Sequence, residues 1–97
     1  NQERDLPFIF GNFEIKEFLK LKTIIDKSSF NYGDIKNFYY FKSKRWDIET
    51  KDAIIIKLPS KKLETSFKIL LKILEEDKFI NLEMIDLRQN NQVILNG

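Results

Sequence analysis

The sequence predicts an α+β fold, a mainly antiparallel sheet of about six strands covered by two helices. Three observations lead there. Two stretches repeat apolar residues at helical spacing. Short β-rich runs at hairpin spacing lie between and after them. A chain of 97 residues forms one domain, spanning residues 1–97. It buries roughly two-thirds of the surface its unfolded form exposes, so a single core stands without staples.

Asn1 to Asp5 is polar and reads as a frayed end. Leu6-Pro7-Phe8-Ile9-Phe10-Gly11 is a short apolar strand closed by glycine. Pro7 has no N–H to give a ladder and favours an edge. Phe13 to about Lys27 reads as the first helix, with Asn12 as its cap and Ile15, Phe18, Leu19, Leu21, Ile24 and Ile25 on its apolar face. Glu14 and Glu17 at its start and Lys27 at its end suit the helix dipole. Ser28 to Asp34, with Asn31 and Gly33, is a loop.

Strands follow over Ile35 to Phe41, Lys44 to about Thr50, and Ala53 to Leu58. The second alternates cleanly, with Trp46 and Ile48 on one side and Arg45, Asp47 and Glu49 on the other. Between the last two lies Thr50-Lys51-Asp52-Ala53. A two-residue hairpin prefers Gly after Asp, because positive φ is costly for a residue with a Cβ. Ala53 therefore either tolerates that strain or the turn is longer. The second helix runs from Lys61 to about Glu76, with Ser60 as N-cap and Glu64 near the capping-box position. Leu63, Phe67, Leu70, Leu71 and Leu74, widened by Ile69 and Ile73, give the broad apolar face of a helix lying flat on a sheet. Asp77 to Asn81 connects to an alternating strand at Glu83 to Arg88. Gln89 to Gln92 is a turn, and Val93-Ile94-Leu95 is the final strand.

Composition excludes more than it assigns. The chain has no cysteine and no histidine. Disulfides, thiolate metal sites, cysteine nucleophiles, imidazole ligands and Ser–His dyads are all out of reach. Seventeen Lys and Arg face 15 Asp and Glu, for a net charge of +2, too little to argue for a nucleic-acid partner. No apolar run approaches the roughly 20 residues of a membrane span. No glycine-rich phosphate loop is present, since Gly11, Gly33 and Gly97 stand far apart.

The remaining clusters read blandly. Asp47 and Glu49, beside Arg45 and Lys51, read as a solvated strand face with alternating charge rather than an acid–base pair. Glu75-Glu76-Asp77 reads as surface charge rather than a cation site. Phe38-Tyr39-Tyr40-Phe41-Lys42-Ser43-Lys44-Arg45-Trp46 interleaves aromatics with cations. It supports an alternative reading, a small RNA-binding module using Tyr39, Tyr40 and Trp46, although the glycines of an RNA-reading strand are missing. The last strand is more informative. Gln92-Val93-Ile94-Leu95-Asn96-Gly97 carries no Lys, Pro or inward charge of the kind that guards an edge. It is either an internal strand or a docking edge for another chain by β-augmentation.

Four segments then stand out together: Leu6-Pro7-Phe8-Ile9-Phe10-Gly11, Arg45-Trp46-Asp47-Ile48, Ile54-Ile55-Ile56-Lys57-Leu58-Pro59 and Ile85-Asp86-Leu87-Arg88. In order and spacing they resemble the C-terminal β-domain of the FtsQ/DivIB bacterial cell-division proteins, most closely the alphaproteobacterial branch. The resemblance implies a non-catalytic, cofactor-free scaffold domain in the periplasm, part of a bitopic inner-membrane protein enriched at the division septum. It implies a longer chain whose cytoplasmic tail, transmembrane helix and POTRA domain are absent here. It implies recruitment of the FtsB–FtsL pair, with a segment of FtsB adding to the sheet edge. By that resemblance Gln92, Val93, Ile94 and Leu95 are the docking strand, flanked by Gln89, Asn90 and Asn91. Some relatives carry an aromatic residue where this chain has Gln89, and others Asn-Gly where it has Asp52-Ala53.

Overall fold

Apolar residues two apart along several short strands dictate a sheet with one wet and one dry face. The computed structural model describes residues 6–76, 81–89 and 92–97 and contains that sheet. Its elements are β1 (Phe8–Phe10), α1 (Ile15–Lys27), β2 (Ile35–Phe41), β3 (Arg45–Thr50), β4 (Ile55–Lys57), α2 (Leu63–Glu75), β5 (Met84–Asp86) and β6 (Ile94–Asn96). A 3-10 turn at Tyr32–Asp34, with the Asn31 side chain accepting from the Gly33 N–H, feeds β2. The strands lie side by side in chain order, β1-β2-β3-β4-β5-β6. β1–β2 and β4–β5 are parallel, and the other three pairs are antiparallel.

Each parallel pair needs a crossover, and each crossover is a helix. Crossovers are right-handed almost without exception. β1 and β4 run in the same direction and advance the same way across the sheet, so both helices must lie on one face. The core reflects this. Leu21 and Ile25 of α1 and Phe67, Leu70 and Ile73 of α2 share one cluster with the inward residues of the strands. A single register row, Ile9–Phe38–Ile48–Ile56–Ile85–Leu95, crosses all six strands beneath them. Each fully buried residue of that row contributes about 1.5–3 kcal/mol relative to exposure. Among the described residues no helix covers the opposite face.

Several local expectations need correction. Asn12 does not cap α1. Glu14 holds the N-cap position without a side-chain bond, and Ile15 and Leu19 stay exposed at the solvent end of the stripe. Ser60 does not cap α2 either, because Lys62 takes that position in the left-handed region, φ 59°. The β3–β4 connection closes through Ala53 N–H to Thr50 O at 2.9 Å with Ala53 at φ 68°. Thr50 reinforces it, its hydroxyl accepting from the Ile54 N–H at 3.1 Å. Ala53 thus carries the strain a glycine would relieve. The final strand is Ile94–Asn96, one residue later than Val93–Leu95.

Candidate functional site

The family-like motifs acquire a common physical meaning once the faces are assigned. In Arg45-Trp46-Asp47 the middle residue enters the core and the outer two meet on the open face. Arg45 Nη1 donates to Asp47 Oδ1 at 2.8 Å and to the Leu58 carbonyl at 3.0 Å. In Asp86-Leu87-Arg88 the same construction recurs. Arg88 Nε and Nη2 donate to the two Asp86 oxygens at 2.9 and 2.6 Å, and the Arg88 N–H adds a third bond at 3.0 Å. Lys57 stands in register between Asp47 and Asp86. The result is a row of alternating charge, Arg45–Asp47–Lys57–Asp86–Arg88, running toward β6.

This row is not the solvated face expected from the sequence. Asp47 is 7% exposed and Asp86 3%, so their partners are obligatory. The Arg88 guanidinium holds the Asp86 carboxyl below its ordinary range, chiefly through the side-chain bonds. Farther along, the Asn37 amide donates to Glu49 Oε1 at 2.9 Å and the Tyr39 hydroxyl donates to the same oxygen at 2.7 Å. Those two bonds, Asn37 first, lower the Glu49 pKa, and the bond to Glu49 raises that of Tyr39. Each of these carboxylates is thus held by a neighbouring side chain, Asp47 and Glu49 through one oxygen and Asp86 through both. Among the described residues no group of His, Cys, Asp and Glu side chains is arranged to hold a metal ion.

The aromatic set of the RNA alternative is divided by the sheet. Tyr40 and Trp46 face the helices with ring centroids 4.7 Å apart, and Trp46 packs against Phe13, Phe18 and Phe38. Tyr39 faces the other way. No one surface presents all three for stacking.

The last strand lies at the edge of the sheet. Its free side follows from the ladder. The Glu83 carbonyl accepts from Ile55 N–H at 3.0 Å and the Leu87 N–H donates to Lys57 O at 2.8 Å, which ties the residues flanking β5 to β4. The Glu83 N–H donates to the Asn96 carbonyl at 2.7 Å, which turns the Asn96 carbonyl toward β5. Met84 and Asp86, between them, aim at Asn96 and Ile94. The pleat therefore turns the N–H and C=O of Leu95 outward. The Leu95 side chain packs on the core, whereas Val93 and Ile94 are 36% and 41% exposed. Gln89 and Gln92 are exposed, and Asn90 and Asn91 lie outside the described residues.

A pocket of about 330 Å³ opens beside this edge, lined among others by Pro59, Ile69, Leu87, Gln89, Gln92 and Val93. Ile69 and Pro59 are the members that sequence reasoning missed. The signal was present: the apolar stripe of α2 is wider than one face of a sheet requires, and Ile69 is its exposed margin.

A family model described as "Cell division protein FtsQ/DivIB, C-terminal" matches residues 1–88. No curated protein matches the chain. The matched stretch includes both Arg–Asp constructions and β1 to β5, and it stops before β6.

Proposed function

The chain belongs to the FtsQ/DivIB family of cell-division proteins, and we propose that it is a non-catalytic scaffold domain recruiting the FtsB–FtsL pair by addition of an FtsB strand to the outer edge of β6. Gln92, Val93, Ile94 and Leu95 form the docking strand, with Gln89, Asn90 and Asn91 beside it. The domain works in the periplasm at the division septum, carried by a single-span inner-membrane protein. Among the described residues no helix is long and apolar enough to cross a membrane.

One observation supports the reading: β6 is an edge strand without Lys or Pro whose outward backbone groups fall on Leu95, and a partner strand that follows the same alternation meets Val93 next. An incoming strand completes that ladder, and apolar side chains of the partner meet Ile94 on the open face or enter the pocket at Ile69 and Leu87. About four to six backbone bonds at roughly 0.5–1.5 kcal/mol each, set against the cost of association, give micromolar binding, on the order of −8 kcal/mol.

The test is a proline placed on the outward side. Val93→Pro removes an N–H that β5 does not use, so the fold persists while binding of the FtsB periplasmic segment, followed by calorimetry, falls tenfold or more. Val93→Thr keeps the N–H and binds as the parent does. A Val93→Pro protein that binds FtsB undiminished refutes docking at this edge.

A further inference from the structure

A second surface lies on the helical side of the molecule, away from the open face of the sheet. A cleft of about 530 Å³ runs between α1, the start of β3 and the start of α2. It follows α1 from Glu17 to Lys27, roughly 15 Å at the rise of a helix. Leu21, Ile24, Trp46 and Leu63 supply apolar walls. Five lysines line it, Lys20, Lys27, Lys44, Lys61 and Lys62, against the two glutamates Glu17 and Glu64. The cleft is thus more positive than the whole chain, whose net charge is +2.

Among the described residues none of these five lysines forms an ion pair, although Lys16, Lys22, Arg45 and Arg88 all do. α2 also begins here without a side-chain cap. Its first-turn N–H groups and the positive end of its dipole add to the field at the cleft. Unpaired cations at this density repel one another, and a ligand bearing carboxylates relieves that repulsion.

We propose that this cleft docks an acidic amphipathic segment of a partner protein along α1, on a surface that meets the pocket beside β6 only at Pro59, Lys61 and Lys62. The length fits about ten helical residues, and the apolar walls take the hydrophobic side of the segment while the lysines meet its carboxylates. Glu17 and Glu64 argue against a uniformly anionic polymer. The aromatic wall argues the same way, since Trp46 is nearly buried and offers no stacking platform.

The probe is a fluorescein-labelled 14-residue peptide with Leu at helical i, i+3, i+4 and i+7 spacing and Glu elsewhere. The same peptide with Lys for Glu is the control. Anisotropy on the 97-residue chain is expected to give binding in the range of roughly 10–100 μM, weakening with salt. Amide shifts should centre on Leu21, Ile24 and Leu63, with no binding of the Lys peptide. Lys20→Glu combined with Lys27→Glu, both at exposed positions of α1 that do not line the pocket beside β6, should cost tenfold or more while the thermal melt is unchanged. Should that variant lose its fold, Lys20→Ala with Lys27→Ala is expected to weaken binding by about half that factor. Overturning results are equal binding of the two peptides, charge-reversed protein that binds as before, or shifts centred on β6. Tighter binding of anionic-lipid vesicles or single-stranded RNA, lost by the same charge reversal, assigns the cleft to that ligand and overturns the proposal too.

Discussion

β1 and β6 are the two edge strands of one sheet, each three residues long and each sending one side chain into the core row, Ile9 and Leu95. They differ in what surrounds those residues. β1 is preceded by Pro7, which has no N–H, and followed by Gly11 at φ 118°, where the chain turns over the Tyr40 carbonyl. Its run of usable backbone ends abruptly on both sides. β6 has Gln92 and Val93 before it and Gly97 after it, all with N–H groups. Yet β1 shows more apolar surface, with Phe8 at 70% exposure and Phe10 at 49%. Those rings belong to the open face rather than to the edge, and Phe10 is already stacked on Tyr39, centroids 5.4 Å apart at 15°. Exposed hydrophobicity and backbone availability are separate properties, and here they point to opposite edges.

The largest expected effect removes β1 from the comparison. A Cβ at Gly11 meets the Tyr40 carbonyl oxygen at 2.5 Å on a backbone with φ 118°. Gly11→Ala should cost about 3 kcal/mol in urea denaturation, from backbone strain and overpacking together. Hydrogen exchange should rise first in β1. Affinity for the FtsB segment, measured on the folded protein, should not change. If it falls in step with β1 protection, the two edges are not independent.

Next comes the support of β6. Asp86→Asn breaks a buried carboxylate clasp and should cost about 2 kcal/mol. Because the folded Asp86 pKa is lowered, chiefly by the Arg88 side-chain bonds, its stabilisation is complete above the ordinary value near pH 4. It fades as pH falls through the lower folded value. The parent should therefore lose more stability than Asp86→Asn between about pH 5 and pH 2. Parallel losses in the two proteins would show that the clasp contributes nothing.

Much of this contrast was legible in the sequence, and the rest was not for physical reasons. Pro7 announced an edge because a missing N–H is a covalent fact. The alternation in Arg45 to Thr50 and Met84 to Leu87 gave both faces, because the pleat has a fixed period. The caps were misread at Asn12 and Ser60, because capping depends on where packing starts the helix. Burial of Asp47 and Asp86 was not foreseen: only the fold reveals that an arginine two residues away lies over each. The pocket and the lysine cleft join residues far apart in sequence, so no local pattern contains them.

A smaller effect isolates the aromatic surface. Phe10→Ala removes the stack on Tyr39 and should cost about 1 kcal/mol, in the range measured for aromatic pairs. The Tyr39–Glu49 bond of 2.7 Å does not depend on that ring. The hydroxyl should therefore keep its raised pKa, which ultraviolet titration can follow. A return toward the ordinary tyrosine value would mean that the stack also positions the hydroxyl.

The smallest change in stability gives the sharpest separation of the two edges. Phe8→Lys and Ile94→Lys each place a charge at an exposed position of the open face, where substitutions shift stability by about 0.5 kcal/mol or less. Lysine is also the residue natural sheets use to close an edge. At β6 it stands beside the path of the added strand and opposes its side chains, so Ile94→Lys should weaken FtsB binding about fivefold. At β1 it replaces a ring outside the proposed docking edge, so Phe8→Lys should bind as the parent does. Since neither variant alters the fold, a difference between them reports position alone. The reverse pattern would move docking to β1, where the apolar surface is larger. Two unaffected variants would remove docking from both edges.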